Sequence, residues 1–224
     1  NGFGRIGKLV FRAFLEKNIK NAEIIAINEL GSLDSSIHLM QFDSIHGKLP
    51  IDIKKTKDGL KYKNKTIKFF SERDPQNLPW KKLKVDVVLV GRTTDAALTL
   101  GPLIYEYDWK PDDWDLLAQG TLAGHLLECG AQVTGAYFAD PGFKDVPNLA
   151  DVGFPIAEIN EKGNIIIRKA DNTGGLVCRE TVMEQALYEI HDPKQYLTPD
   201  VILDLTEIKI EEIGKNEVLI LGAK

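Results

Sequence analysis

The chain opens Asn-Gly-Phe-Gly-Arg-Ile-Gly, with Gly2, Gly4 and Gly7 at the spacing G-x-G-x-x-G, directly ahead of a helical apolar pattern. No other feature constrains the fold as much. Gly2 permits a tight turn, Gly4 lets a pyrophosphate approach the backbone, and Gly7 allows a following helix to pack closely. The helix predicted over 5–17 places Ile6, Leu9, Val10, Ala13 and Phe14 on one stripe. Its N-terminus would present unpaired N–H groups to an anion. The apolar run EIIAIN (23–28) suits a buried parallel strand. Glu29 closes that run, where an acid can bind ribose hydroxyls and repel a 2′-phosphate, favouring NAD over NADP. A glycine-rich turn without a ligand is the competing reading.

The remaining pattern predicts an α/β fold: a partial Rossmann-like module without its first strand, then a second partial α/β module. A helix starts with Asp34 as N-cap. Strands follow in LPIDIKK, GLKYK and KTIKFF, with turns at Asp58-Gly59 and Lys63-Asn64-Lys65. VDVVLVG (85–91) reads as another buried strand, so the sheet of residues 1–91 is expected to be mainly parallel. Beyond it, WKPDDWDLLAQGTLAGHLLECG predicts a helix with Trp114, Leu117, Ala118, Leu122, His125 and Cys129 on its apolar face. A loop-rich stretch follows. The strand NIIIRK, the helix CRETVMEQALYEI and two strands joined at Gly214 complete the chain.

Charge marks the same division. Residues 1–89 carry 17 Lys and Arg against 10 Asp and Glu, and residues 90–224 carry 11 against 23. We expect one module at 1–89 and another at 90–224, joined without a linker. The net charge of −5 gives no basic field for nucleic acid. No apolar run reaches the length of a membrane helix. Two cysteines without metal-type pairing, and no secretory signal, point to a reducing cytoplasm. A single disulfide between Cys129 and Cys178 stays open, as does the oligomeric state.

NGFGRIGKLVFRAF, AINEL, FDSIHGKLP, ERDPQNLPW and VDVVL, in that order, resemble the first domain of glyceraldehyde-3-phosphate dehydrogenases. INEL brings erythrose-4-phosphate dehydrogenase nearer. The resemblance implies NAD as cofactor, held by Gly2, Gly4, Arg5, Ile6, Gly7 and Glu29, with Ser71–Arg73 near the adenine. It departs where VGRTTD follows VDVVL, and that family's catalytic segment, a cysteine followed by two threonines and an asparagine, is nowhere present. Phosphorylating aldehyde oxidation needs that thiolate and a histidine base. His46 is read as structural.

From GRTTDAALTLGPL onward, DWDLLAQGTLAGHLLECGAQVTG, YFADPGFKDVPNLADVGFPIAEI, TGGLV and VMEQALYEIHDPKQYLTPDV resemble the acyclic-terpene-utilisation AtuA family. Ala136 departs from an expected second glycine. The resemblance implies degradation of acyclic terpenoids, with a lyase step on an acyl-CoA that needs a base and a carbanion stabiliser. Catalytic candidates are His125, Asp140 and Thr173, with Asp95, Glu128, Cys129 and His191 behind them. Each has a plainer reading: His125 and Cys129 as core groups, Asp140-Pro141-Gly142 and Thr173-Gly174-Gly175 as turns. The last could instead be a phosphate loop. No metal site is expected. Three readings follow: an NAD-binding module fused to a terpenoid-degradation fragment without intact catalysis, an AtuA-like lyase fragment, or a misjoined chain without function.

Overall fold

The computed structural model describes residues 1–224, which divide into two units, Asn1–Arg92 and Thr93–Lys224. In the first, α1 (Arg5–Glu16) leads to β1 (Ala26–Asn28), α2 (Leu33–Gln41), β2 (Phe42–Asp43), β3 (Gly47–Lys48), β4 (Ile53–Thr56), β5 (Gly59–Tyr62) and β6 (Lys65–Phe70). The main sheet has the order β1-β6-β5-β4. Only β1 and β6 pair in parallel; β4, β5 and β6 form an antiparallel meander. The sheet is therefore mixed, not mainly parallel as expected. The two turns at Lys57-Asp58 and Lys63-Asn64 are too short for a crossover, so they impose antiparallel pairing.

Three local expectations change with packing. Helix α1 buries Phe11, Arg12 and Leu15, while Ile6 and Val10 are exposed. The helix is apolar on two sides, and the aromatic side packs: Phe11 meets Phe3 and Tyr62 edge-on at 5.7 and 6.1 Å. Helix α2 is capped by Ser32, whose hydroxyl accepts from the Ser35 amide; Asp34 lies in the first turn. Residues 85–91 form no strand, and Val87 and Leu89 are 78% and 63% exposed. An apolar run becomes a buried strand only beside a ladder. On its free side β1 is flanked by Asn1–Phe3, through the Gly2 amide to the Asn28 carbonyl (3.0 Å), and residues 85–91 meet this flank through a single bond, from the Asn1 amino group to the Leu89 carbonyl (2.6 Å).

The second unit contains α3 (Ala97–Tyr107), α4 (Trp114–Glu128), β7 (Pro155–Ile159), β8 (Ile165–Lys169), α5 (Arg179–Leu187), β9 (Tyr196–Leu197), β10 (Ile202–Leu203), β11 (Lys209–Gly214) and β12 (Glu217–Leu221). An antiparallel sheet of order β11-β12-β8-β7 and a β9-β10 pair surround α4. The first of the two strands expected to meet at Gly214 is itself divided into β10 and β11, because Asp204 turns the chain by accepting from the Thr206 amide and hydroxyl. Helix α3 is legible only in the structure, since Gly101-Pro102 inside it reads as a breaker.

Helix α4 is buried along its whole middle, from Leu117 to Leu126, although Trp114 at its start is 59% exposed. Two glycines let α3 lie against it. A Cβ at Gly120 would come within 2.7 Å of Leu100, and one at Gly124 within 2.6 Å of Ala96. Gln119 ties the helix to its surroundings: its amide donates to the Gly163 carbonyl (3.1 Å) and its carbonyl accepts from the Ala223 amide (3.0 Å). Gln119→Leu keeps the volume and leaves two backbone groups unsatisfied. Urea denaturation should show a loss of about 3 kcal/mol, one to two for each orphaned group.

Candidate functional site

Each glycine of the opening turn has its own structural reason. Gly2 has φ +89°, a conformation that favours glycine. A Cβ on Gly7 would lie 2.5 Å from the Gly2 carbonyl oxygen, so the third glycine makes room for the first. A Cβ on Gly4 would meet nothing within 4 Å, which leaves its backbone open to an approaching ligand. No side chain caps α1 and no acid lies in its first turn. The amides of Arg5, Ile6 and Gly7 thus stand at the positive end of the helix dipole.

Glu29 is held against this turn. Its carboxylate accepts the Phe3 amide (2.7 Å) and the Gly31 amide (3.2 Å). The Glu29 amide itself donates to the Phe70 carbonyl (3.0 Å). Asn28 links the turn to the next strand end: its side-chain NH₂ donates to Asn1 Oδ1 (2.7 Å) and to the Glu72 carbonyl (2.9 Å). Its Oδ1 accepts the Glu72 amide (2.9 Å). Ser71–Arg73 and the glycine turn are thereby brought to one end of the parallel pair. Arg5 turns to Asp43 (3.1 Å), and buried Arg12 donates to the Gly47 and His46 carbonyls (2.8 and 2.9 Å). Asp43 accepts the Ile45 and His46 amides, which hold its pKa below the usual carboxylate range. His46 thus contributes backbone bonds to a structural loop.

In the second unit, the C-terminal ends of α4 and α5 meet around His125. The imidazole is 94% buried by its 6% exposure, and its Nε2 has no hydrogen-bond partner. Burial lowers its pKa; the nearby Gln185 backbone and the charges of Glu128, Glu189 and Asp95 oppose this without reversing it. The ring is therefore neutral at neutral pH. Gln185, fully buried, donates to the His125 carbonyl (2.9 Å), and Tyr196 lies 6.0 Å from the imidazole, centre to centre. Cys129 Sγ donates to Glu128 (2.9 Å), and burial followed by that carboxylate pushes the thiol up to about 11. It is a protonated donor, not a nucleophile.

His125 thus meets Gln185 and Tyr196 directly and feels the charges of Glu128, Glu189 and Asp95, with Cys129 bonded to Glu128; Gln185, Glu189 and Tyr196 are additions to the expected set. Sequence reasoning missed these three; Gln185 had a signal, lying four residues from Thr181 on the same buried face of α5. Asp140, Thr173 and His191 are engaged elsewhere. Asp140 closes a tight turn with Lys144, with reciprocal backbone bonds of 3.0 and 2.7 Å. Thr173 turns its hydroxyl to the Ala170 carbonyl (2.6 Å). His191 is exposed. Both cysteines are free thiols.

Residues 82–224 match the family model described as acyclic terpene utilisation family protein AtuA. The chain belongs to this family. Residues 1–94 match the model of the glyceraldehyde 3-phosphate dehydrogenase NAD-binding domain, so the chain is composed of two segments. Relatives of the first segment include glyceraldehyde-3-phosphate dehydrogenase 2 of Streptomyces avermitilis, 46% identical over 89 residues, covering 40% of this chain and 26% of that one. The enzyme of Thermotoga maritima is 45% identical over 89 residues (40% and 27%), and that of Chlamydia pneumoniae 48% over 89 residues (40% and 26%). The chain spans about a quarter of the length of these curated relatives.

Within the AtuA segment the geometry separates turn from site. The Gly174, Gly175 and Leu176 amides donate to the Asp151, Pro147 and Thr134 carbonyls. Those of Val177, Cys178 and Arg179 donate to side chains of Asn216, Thr181 and Glu212. The amides from Gly174 to Arg179 are all taken, and the Thr173-Gly174-Gly175 loop is a packing turn: a Cβ at Gly174 would lie 2.0 Å from the Asn148 carbonyl oxygen. Cys178, Glu180 and Glu212 converge at the start of α5, where the helix N-terminus accounts for both carboxylates.

Two expectations follow. Gly7→Ala should lower stability by about 1–3 kcal/mol through its clash with Gly2, whereas Gly4→Ala meets no neighbour and should cost only about 0.5–1 kcal/mol, as a poorer N-cap; thermal unfolding separates them. For His125 the folded pKa lies below the unfolded one, so the unfolded chain takes up the proton first. Its contribution to stability is complete above about pH 6.5 and declines as the pH falls. Urea midpoints between about pH 6.5 and 5 should show a slope that His125→Phe reduces.

Proposed function

We propose that residues 1–89 form an NAD-binding module and residues 90–224 an AtuA-type module, fused in a chain without dehydrogenase catalysis. The observation that carries the first part is Glu29, whose carboxylate is pinned to the Phe3 amide inside the glycine turn. The same turn leads into α1, whose first amides, those of Arg5, Ile6 and Gly7, have no side-chain cap, so a pyrophosphate on the helix and a ribose on the carboxylate could be bound together. Gly2, Gly4 and Gly7 shape that turn. A bound NAD would supply hydride acceptance; the chain's own residues would hold it and exclude a 2′-phosphate. Localisation in the cytoplasm suits the free thiols.

The absence of dehydrogenase catalysis rests on the thiols. Hemithioacetal formation needs a thiolate with a histidine base nearby. Cys129 is held protonated beside Glu128, and burial also raises Cys178. In calorimetry NAD should bind about tenfold more tightly than NADP, about 1.4 kcal/mol, and Glu29→Ala should erase the difference. Equal affinities in the unmodified chain would remove the Glu29 argument. No NADH should form from glyceraldehyde 3-phosphate or erythrose 4-phosphate; turnover that a Cys129→Ser or Cys178→Ser change abolished would overturn the proposal.

A second reading, a lyase acting on an acyclic-terpenoid acyl-CoA, is favoured by one observation. His125 is neutral, buried and has an unpartnered Nε2. That is the state of a base able to take a hydroxyl proton. Asp140 and Thr173 contribute nothing to it in this geometry. Cleavage of a branched 3-hydroxyacyl-CoA, lost in His125→Gln and retained in Asp140→Asn and Thr173→Ala, would support this reading over the first.

A further inference from the structure

We propose a second ligand site in the first unit, apart from the glycine turn: a cleft that takes a phosphate monoester carried on a flat aromatic group. The cleft has a volume of about 640 Å³ and shares no residue with the Gly2–Gly7 turn. It lies along the carboxyl end of β6, the end of a parallel pair at which open α/β sheets bind ligands. Lys57, Lys68 and Lys82 line it, with Asp58 as the one acid. Elsewhere in this unit Lys54, Lys55 and Lys65 are paired with Asp52, Asp34 and Glu23. The three cleft lysines make no ion pair, and they line one hollow with Asp58 as its single acid. Three ammonium groups against one carboxylate leave a balance matched to a dianion. The walls are apolar, with Phe70 and Leu33 among them. Phe70 is braced edge-on by Trp80, ring centres 6.2 Å apart, which fixes a flat surface for a ring to lie against. A volume of this size exceeds what phosphate alone fills, and the apolar wall requires the carrier to be apolar too.

Phenyl phosphate is the probe, followed by amide shifts of the full-length chain. Saturable shifts should cluster at Lys57, Lys68 and Phe70. Phosphate alone and phenol alone should bind more weakly than the ester. The double change Lys68→Gln/Lys82→Gln should weaken binding about tenfold, roughly threefold for each exposed charge. Lys65→Gln, which removes a lysine outside the cleft, should leave it unchanged, as should Glu29→Ala. Shifts centred on Gly4–Gly7 instead, or binding lost with Glu29→Ala, would assign the phosphate to the glycine turn and overturn the proposal. So would non-saturating shifts, or an affinity indifferent to the double change in a protein whose spectrum shows it folded. NAD binding at the turn is read separately, through its NADP preference.

Discussion

Three residue pairs of parallel strand, Ala26–Asn28 beside Lys68–Phe70, carry the candidate cofactor site of the first unit. So short a ladder does not by itself fix the loops at its end. Side chains extend it: the Asn28 amide reproduces a strand's donor and acceptor toward Glu72 and holds Asn1 as well. Glu29 then fastens the glycine turn through the Phe3 amide. Because Asn28 is buried, each of these bonds is shielded from competing water. Asn28 thus ties Asn1 to the Ser71–Arg73 segment, and Glu29 ties the glycine turn to the same end of the sheet.

The second unit depends on a helix with no exposed middle. A helix buried on all sides must place its polar groups against partners or leave them unpaired. In α4, Gln119 does the first, bridging Gly163 and Ala223. His125 and Thr121 do the second: His125 Nε2 and Thr121 Oγ1 have no partner, and neither does Gln185 Oε1 on α5. A native interior carries few such groups, and each calls for its own explanation. His125 differs in this from Asp140 and Thr173, which are bonded within turns.

The two segments contrast in how they treat charge. In the first, lysines outnumber acids and several lie unpaired beside an apolar wall. In the second, Glu128 and Glu189 lie at the carboxyl ends of α4 and α5, where the helix dipoles add to the negative field. That field favours a proton: it joins burial in keeping Cys129 protonated, but at His125 it opposes burial, which keeps the ring neutral. Desolvation outweighs the carboxylates because the imidazole lies below the surface and they do not.

Much of this was legible beforehand. Glycine spacing, an apolar period of about 3.6 and short alternating runs depend on neighbours in sequence, so α1, α2, α4, α5, the β4-β5-β6 strands and Glu29 could all be read from residues alone. Pairing could not. Residues 85–91 have the composition of a buried strand, but composition does not provide a neighbouring ladder. The exposed side of α1 is apolar too, and only the Phe3–Phe11–Tyr62 contacts decide which side is covered. Helix α3 forms across Gly101-Pro102 because Gly120 and Gly124 of α4 admit it, a contact between residues about twenty apart. In the same way, sequence alone supplied the residue types of both sites, and tertiary structure decided which of them meet: Glu29 reaches the glycine turn and Gln185 reaches His125, because burial and hydrogen-bond satisfaction act between segments that the chain order keeps apart.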